Sequence, residues 1–397
     1  MIDDEDPDPF FLRVLEDLNT EGPAGLVPVL LARLGGEMAA VGLRVLVVDL
    51  DETRLEARDL LTAGAGLTDG PFPVDGSPQG EAYRSGRTRV VTDAATTTIM
   101  VPVTAREVRE GVLEAVVEGD VADRDVAIVR SAASLMGLTI NAADRWTDEF
   151  HVTRRRKEMS LPAEMQWSQL PLTAFATREV SVAGALEPAY EIGGDSFDFA
   201  CDVDRLSAGV FDAMGHGLTA ARLSAFGIAT YRNSRRRGDD IAEQVMTLHD
   251  ALGPTFDREG YMTAVIVQID LTDPRRSSIV RAGHHAPILQ RPGDPPVVLR
   301  VEGGLPFGVP IDEVIQVTTL ALQAGDRLAL FSDGVTEARP DGGEAYGLES
   351  LFRELEAVRE RSPREATRAV TRAVREHRAG ELTDDATILM IDLLPRG

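Results

Sequence analysis

Apolar residues recur at helical spacing from Leu26 to Leu34, and the run from Leu43 to Leu50 that follows is rich in β-branched residues and of strand length. The pattern predicts a helix feeding a strand. Further on, Thr98 to Val103 and Gly111 to Gly119 read as two strands joined by a polar turn, with a helix expected from about Asp125. Behind an acidic segment over residues 1–19, residues 20–145 therefore read as one α+β domain. Ile128, Ala132, Leu135, Thr139, Ala142 and Trp146 step by four and three, which is heptad spacing. Two readings fit that spacing: a two-helix seam joining a homodimer, or an amphipathic helix packed on its own domain. Pro162 and the Leu170-Pro171-Leu172 stretch end any continuous helix. Residues 146–169 then form a helical linker, and a second domain is expected over 170–395. There the apolar runs Leu206 to Phe211, Leu328 to Phe331 and Ala386 to Ile391 have strand length.

Length and charge narrow the picture. At roughly 150 residues per domain, the 397-residue chain holds two or three compact units. Its 43% hydrophobic and 27% charged residues are ordinary globular composition. Acidic residues outnumber basic ones 65 to 41, a formal charge of −24. That field repels phosphate backbones and anionic lipid surfaces, so neither nucleic acid nor membrane is an expected partner. The basic runs at Arg154 to Lys157 and Arg235 to Arg237 are read as solvated helix faces. Cys201 is the single cysteine, which excludes an internal disulfide or a cysteine zinc site and fits a reducing, cytoplasmic home. The acidic N-terminus lacks the positive charge of a signal peptide, and no apolar run approaches the ~18 residues of a membrane span.

The chemistry lies in the second half. Asp195 and Asp198 follow a Gly-Gly pair, Asp212 ends the strand before Ala213-Met-Gly-His216-Gly, Asp333 follows Phe331-Ser, and Asp384 and Asp385 precede the last strand. Strand ends can bring such carboxylates into one layer. Packed together in a low-dielectric cleft they repel one another unless a cation neutralises them. Oxygen donors without paired histidines or cysteines favour a hard ion such as Mg²⁺ or Mn²⁺. Two such ions a few ångströms apart suit phosphoryl chemistry, acidifying a water and clamping the oxygens of an in-line displacement. No Gly-x-x-x-x-Gly-Lys phosphate loop is present.

Eight segments occur in one order: "EIGGDSFD", "VFDAMGHGLTAARL", "MTAVIVQID", "IVRAGHHAPIL", "GGLPFGV", "LQAGDRLALFSDGVTEA", "EAYGLESL" and "TDDATILMIDL". Together they resemble the phosphatase 2C-like (PPM) superfamily, in its bacterial SpoIIE/RsbU branch, over nearly all of residues 170–395. The resemblance implies an α-β-β-α sandwich, a binuclear Mn²⁺ or Mg²⁺ centre and hydrolysis of phosphoserine or phosphothreonine on a protein. A phosphorylated anti-sigma factor antagonist is the expected substrate. Carried over residue by residue, the metal ligands and catalytic carboxylates fall on Asp195, Asp212, Asp333 and one of Asp384 and Asp385, with Asp384 favoured. The backbone carbonyl of Ala213 should face a metal, and Asp198 stands as a supporting candidate or a strand-end surface residue. His216 and His284 are left as loop and turn residues, although His284 and His285 invite a general-acid reading. The arginine that binds substrate phosphate in eukaryotic-type relatives has no clear counterpart upstream of Asp195, though Arg178 lies in that region. Upstream, "VPVTAREVREGVLEAVVEG" with its flanking helices resembles the GAF family of small-molecule sensor domains. Neither a pigment-binding cysteine nor the cyclic-nucleotide signature is present, so its ligand, or a purely dimerising role, is left open. Besides a regulated phosphatase, a catalytically silent binding module and a phosphatase of small phosphate esters fit the same residues.

Overall fold

The computed structural model describes residues 9–38, 40–57, 62–64, 67, 70–187, 190, 193–256, 260–309, 316–378 and 385–395. The chain divides into two compact units, residues 1–157 and 158–397.

In the first unit, helices α1 (Pro9–Thr20) and α2 (Leu26–Glu37) lead into strand β1 (Ala40–Val48). Short strands β2 (Arg54–Glu56), β3 (Thr62–Gly64) and β4 (Phe72–Pro73) and helix α3 (Pro78–Ser85) follow. Next come β5 (Arg89–Thr92), β6 (Thr96–Ala105), β7 (Val108–Glu118) and the long α4 (Asp123–Ala143). The sheet has the order β4-β2-β1-β7-β6-β5, with β3 also against β1. Alternation sorts its side chains. Leu43, Val45, Ile99, Val101, Leu113 and Ala115 meet α2 and α4 on one face. On the other, Leu46, Met100 and Val112 meet Ala82 and Tyr83 of α3. α3 starts where Ser77 Oγ accepts from Gly80 N at 2.9 Å and stops at left-handed Gly86.

The α+β reading of this unit holds, and α4 packs on its own domain, one of the two readings its spacing left open. Val129, Ala133, Met136 and Ile140 face the sheet, and the heptad positions Ala132 and Thr139 are also buried. Ile128 and Leu135 are partly covered by the same core. Ala142 is exposed, and Trp146, 78% exposed, lies past the helix end. A broad apolar stripe at three-four spacing is wide enough to take the sheet, so the small heptad positions are consumed within the unit. By length and composition α4 is apolar enough to cross a membrane, yet one of its faces is core. Helix α5 (Glu149–Arg154) closes the unit. Arg154, read as solvated, is instead 12% exposed and pairs with Glu110 at 2.5 Å and Asp144 at 2.8 Å.

The second unit opens with α6 (Leu161–Trp167), capped by Ser160, and Pro162 sits in its first turn, where no hydrogen bond is lost. Among the described residues eleven strands follow: β8 (Ala174–Ala176), β9 (Val180–Glu187), β10 (Asp195–Cys201), β11 (Arg205–Ala213), β12 (Met262–Asp270), β13 (Ser277–Ala282), β14 (Ile288–Gln290), β15 (Val297–Val298), β16 (Thr318–Leu320), β17 (Arg327–Phe331) and β18 (Ala386–Leu393). They form two antiparallel sheets, β10-β11-β12-β13-β16 and β15-β14-β17-β18-β9-β8. Val182, Phe197, Leu206, Val210, Val265, Leu330 and Leu389 fill the space between the sheets. The remaining faces bury against helices. Phe211, Ala264 and Ile266 pack on α7 (Gly217–Arg237) and α8 (Ile241–Thr255). Ala329, Ile388 and Met390 pack on α10 (Gly347–Ala357) and α11 (Pro363–Arg378), with the short α9 (Asp333–Glu337) between.

Candidate active site

Strand alternation assembles an acidic cluster at one end of the second unit. β10 begins at Asp195, which pairs in register with Asp212 near the end of β11. Residues of one parity, Asp195 and Phe197 on β10 and Leu206, Val210 and Asp212 on β11, point inward between the sheets. In the facing sheet the inward parity of β17 continues from Leu330 to Ser332, and that of β18 from Leu389 back to Thr387. The two sets meet: Ser332 Oγ donates to Asp195 Oδ2 at 2.5 Å and accepts from Thr387 N at 2.9 Å.

A second set of bonds fixes the start of β10. Asp385 Oδ2 accepts from Gly194 N at 2.8 Å, Asp195 N at 3.0 Å and Gln166 Nε2 at 3.0 Å. Gln166 Nε2 also donates to the Asp195 carbonyl at 2.7 Å. Asp385 thus acts on the backbone of the loop that carries Asp195. Asp333 is the first residue of α9, half-buried and one residue beyond Ser332. The turn it starts lies so close to β18 that a Cβ on Gly334 would stand 1.9 Å from the Asp385 carbonyl oxygen. The Ala213 carbonyl faces Gly194, where a Cβ would come within 3.2 Å of it. Asp384 lies outside the described residues.

One expectation about the site is corrected. Asp198 has the opposite parity to Asp195 and points at the helix layer. Only 1% exposed, it accepts from Arg232 Nη2 and Arg235 Nη1, both at 2.7 Å. It is neither a surface residue nor a neighbour of Asp195's carboxylate; it ties β10 to α7, and it draws Arg235 in from a run read as solvated. Beside it, burial pushes the Tyr231 hydroxyl up to about 12. Arg178 precedes Val180, which pairs with Leu393, whereas Glu187 at the other end of β9 pairs with Ala386 next to the cluster. That separation is roughly 23 Å at ~3.3 Å per residue, so Arg178 does not reach phosphate there. His216 is exposed at the start of α7. His284 is 4% exposed, and burial, reinforced by His285, holds its imidazole down at about 3. A ring kept neutral that firmly is no general acid near pH 7.

Burial is the largest cause holding the Asp195 carboxyl well above the usual carboxylate range, followed by the charges of Asp212 and Asp385. The cluster therefore carries unbalanced negative charge, and its oxygen-only donors fit a hard divalent cation. Among the described residues no three histidine, cysteine or carboxylate side chains converge as a finished cage. The residues sequence reasoning passed over are Ser332, Gln166 and Thr263. Ser332 stood in plain view inside "FSDG", Thr263 in "MTAVIVQID" looked like strand filler, and Gln166 belongs to no motif.

Residues 202–394 match the family model described as Stage II sporulation protein E (SpoIIE). Most of the second unit therefore matches a SpoIIE-type domain. The chain is 26% identical over 202 residues to Stage II sporulation protein E of Bacillus subtilis (strain 168), covering 50% of this chain and 24% of that protein. It is 21% identical over 238 residues to Phosphoserine phosphatase RsbU of the same organism, covering 59% of this chain and 70% of that protein. The chain thus spans about a quarter of the first relative and seven tenths of the second. Among solved structures, the SiaA-PP2C domain of Pseudomonas aeruginosa matches with a TM-score of 0.50 at 21% identity, over 58% of this chain and 94% of that one. That likeness speaks to the fold of the SpoIIE-type domain alone.

Proposed function

We propose that the chain is a cytoplasmic, metal-dependent protein serine/threonine phosphatase acting on a phosphorylated signalling protein of the anti-sigma factor antagonist kind. The observation that carries this reading is the buried Asp195 carboxyl beside Asp212 and Asp385. The SpoIIE family match and the likeness to a protein named as a phosphoserine phosphatase support it. Asp195, Asp212, Asp333, Asp384 and the Ala213 carbonyl would hold two Mn²⁺ or Mg²⁺ ions, with Asp385 holding the Asp195 loop in place. Bound there, the ions would supply an acidified water and neutralise the phosphoryl oxygens. The chain's own part is to fix the carboxylates: Ser332 orients Asp195, and Asp385 with Gln166 pins its backbone.

The first unit is proposed as a GAF-like sensor regulating this activity, with a small-molecule ligand, in a homodimer. The exposed Leu138 and Trp146, rather than Ala132 or Thr139, are the side chains an association near α4 would cover. The test is phosphate release from a panel of phosphoserine proteins, phosphorylated anti-sigma factor antagonists included, with and without Mn²⁺. Metal-dependent release from antagonists is expected. Release only from small esters would replace the proposed substrate.

A further inference from the structure

Asp212 receives a hydrogen bond whose far end is a buried histidine. Thr263 of β12 pairs in register with Asp212 and shares its inward parity. Its Oγ1 donates to Asp212 Oδ2 at 3.3 Å and lies 2.7 Å from His284 Nδ1. The threonine hydroxyl has one proton. If that proton goes to Asp212, Thr263 accepts from the ring, and the neutral imidazole carries its proton on Nδ1. Nε2 is then an acceptor only, and among the described residues no hydrogen-bond partner of good geometry meets it, although the Phe331 carbonyl lies near enough to act on the ring.

The turn that presents His284 is tightly held. Arg281 Nη1 donates to the His284 carbonyl at 3.0 Å, and Gly283 N donates to Gly304 O at 2.8 Å. Gly283 adopts φ +64°, and a Cβ there would stand 2.6 Å from the Pro306 ring. His285, next in sequence, stacks on Phe331 at 5.5 Å between centroids. The ring therefore has little freedom to turn away.

We propose that His284 and Thr263 are positioning residues, a directional relay from Nδ1–H through the threonine hydroxyl that fixes the orientation of one oxygen of Asp212 toward a cation site. This rests on the phosphatase reading and assigns the paired histidines a part in it that is not acid catalysis. The buried neutral ring suits the task, because a fixed dipole orients a carboxylate without cancelling the charge a cation needs. Two consecutive bonds of one sense also polarise each other.

The test is calorimetric Mn²⁺ binding to metal-stripped wild type, Thr263→Val, Thr263→Ser, His284→Gln and His284→Asn, each first shown folded by its unfolding curve. Asparagine places its N–H near the Nδ1 position, glutamine near Nε2. Thr263→Val and His284→Gln are expected to bind Mn²⁺ about tenfold more weakly, while Thr263→Ser and His284→Asn stay close to wild type. A side chain that merely filled the turn would show no such preference. Nitrogen NMR of the wild type supplies a readout independent of metal, with the Nδ1–H tautomer expected. An Nε2–H tautomer, or wild-type affinity in Thr263→Val, overturns the relay and leaves the phosphatase reading standing. A wild type that neither binds Mn²⁺ nor releases phosphate overturns both. If the His284 variants do not fold, the Thr263 pair decides.

Discussion

Replacing Asp195 with asparagine makes the metal-free protein more stable and the metal-loaded protein less so. Asp195 is 3% exposed and pairs across the ladder with Asp212. Two unit charges roughly 5.5 Å apart at an effective dielectric of about 20 repel by about 3 kcal/mol. The asparagine oxygen still accepts from Ser332, so the substitution removes charge while keeping shape and that bond. A gain of roughly 1–3 kcal/mol corresponds to about 3–10 °C in melting temperature for a domain of this size. The pH dependence has a definite sign. The unfolded chain releases this proton near pH 3.9, while the folded wild type holds it to higher pH because its carboxyl is raised. Wild-type stability from this group is complete below about pH 4 and is lost as pH rises through the folded value. The advantage of Asp195→Asn is therefore smallest near pH 4 and grows toward neutrality. Mn²⁺ at a hundred times its dissociation constant stabilises the wild type by about 2.7 kcal/mol and the variant far less. Melting curves from pH 4 to 8 in chelator, repeated with Mn²⁺, read all of this. A variant no more stable than wild type at neutral pH, or equal Mn²⁺ shifts in both, refutes the reasoning.

Asp212→Asn and Asp333→Asn are each expected to fold and to lose more than the about 100-fold in activity typical of removing an outer partner of a metal ligand; steady-state turnover checks this. Asp198→Ala leaves Arg232 and Arg235 without their carboxylate and is expected to cost about 3 kcal/mol, read by urea unfolding, while Mn²⁺ binding persists. Gly334→Ala pushes a methyl into the Asp385 peptide and is expected to cost about 1–3 kcal/mol and to weaken Mn²⁺ binding by shifting the Asp195 loop.

The strands that end in aspartate were legible because apolar runs of strand length adjoin each acidic residue, and the α2–β1 and β6–β7 elements were legible for the same reason of period. Parity within those strands separates Asp195 from Asp198, and proximity in a motif hides it. The α4 register stayed open because a short heptad pattern and a sheet-facing stripe differ by only ~20° per heptad. Arg154 and Arg235 look like any surface arginine until Glu110 and Asp198 are found facing them. Ser332, Gln166 and Thr263 reach carboxylates 137, 219 and 51 residues away in sequence, and no local pattern encodes such a partner.

The most direct measurement of the central claim is phosphate release from an aryl phosphate by the metal-stripped chain, before and after stepwise addition of Mn²⁺, with metal content verified. Turnover that is absent at the start and rises with bound Mn²⁺ is the expected result. Undiminished turnover in excess chelator, with no metal in the protein, would contradict the proposal that the Asp195–Asp212 cluster works by holding cations.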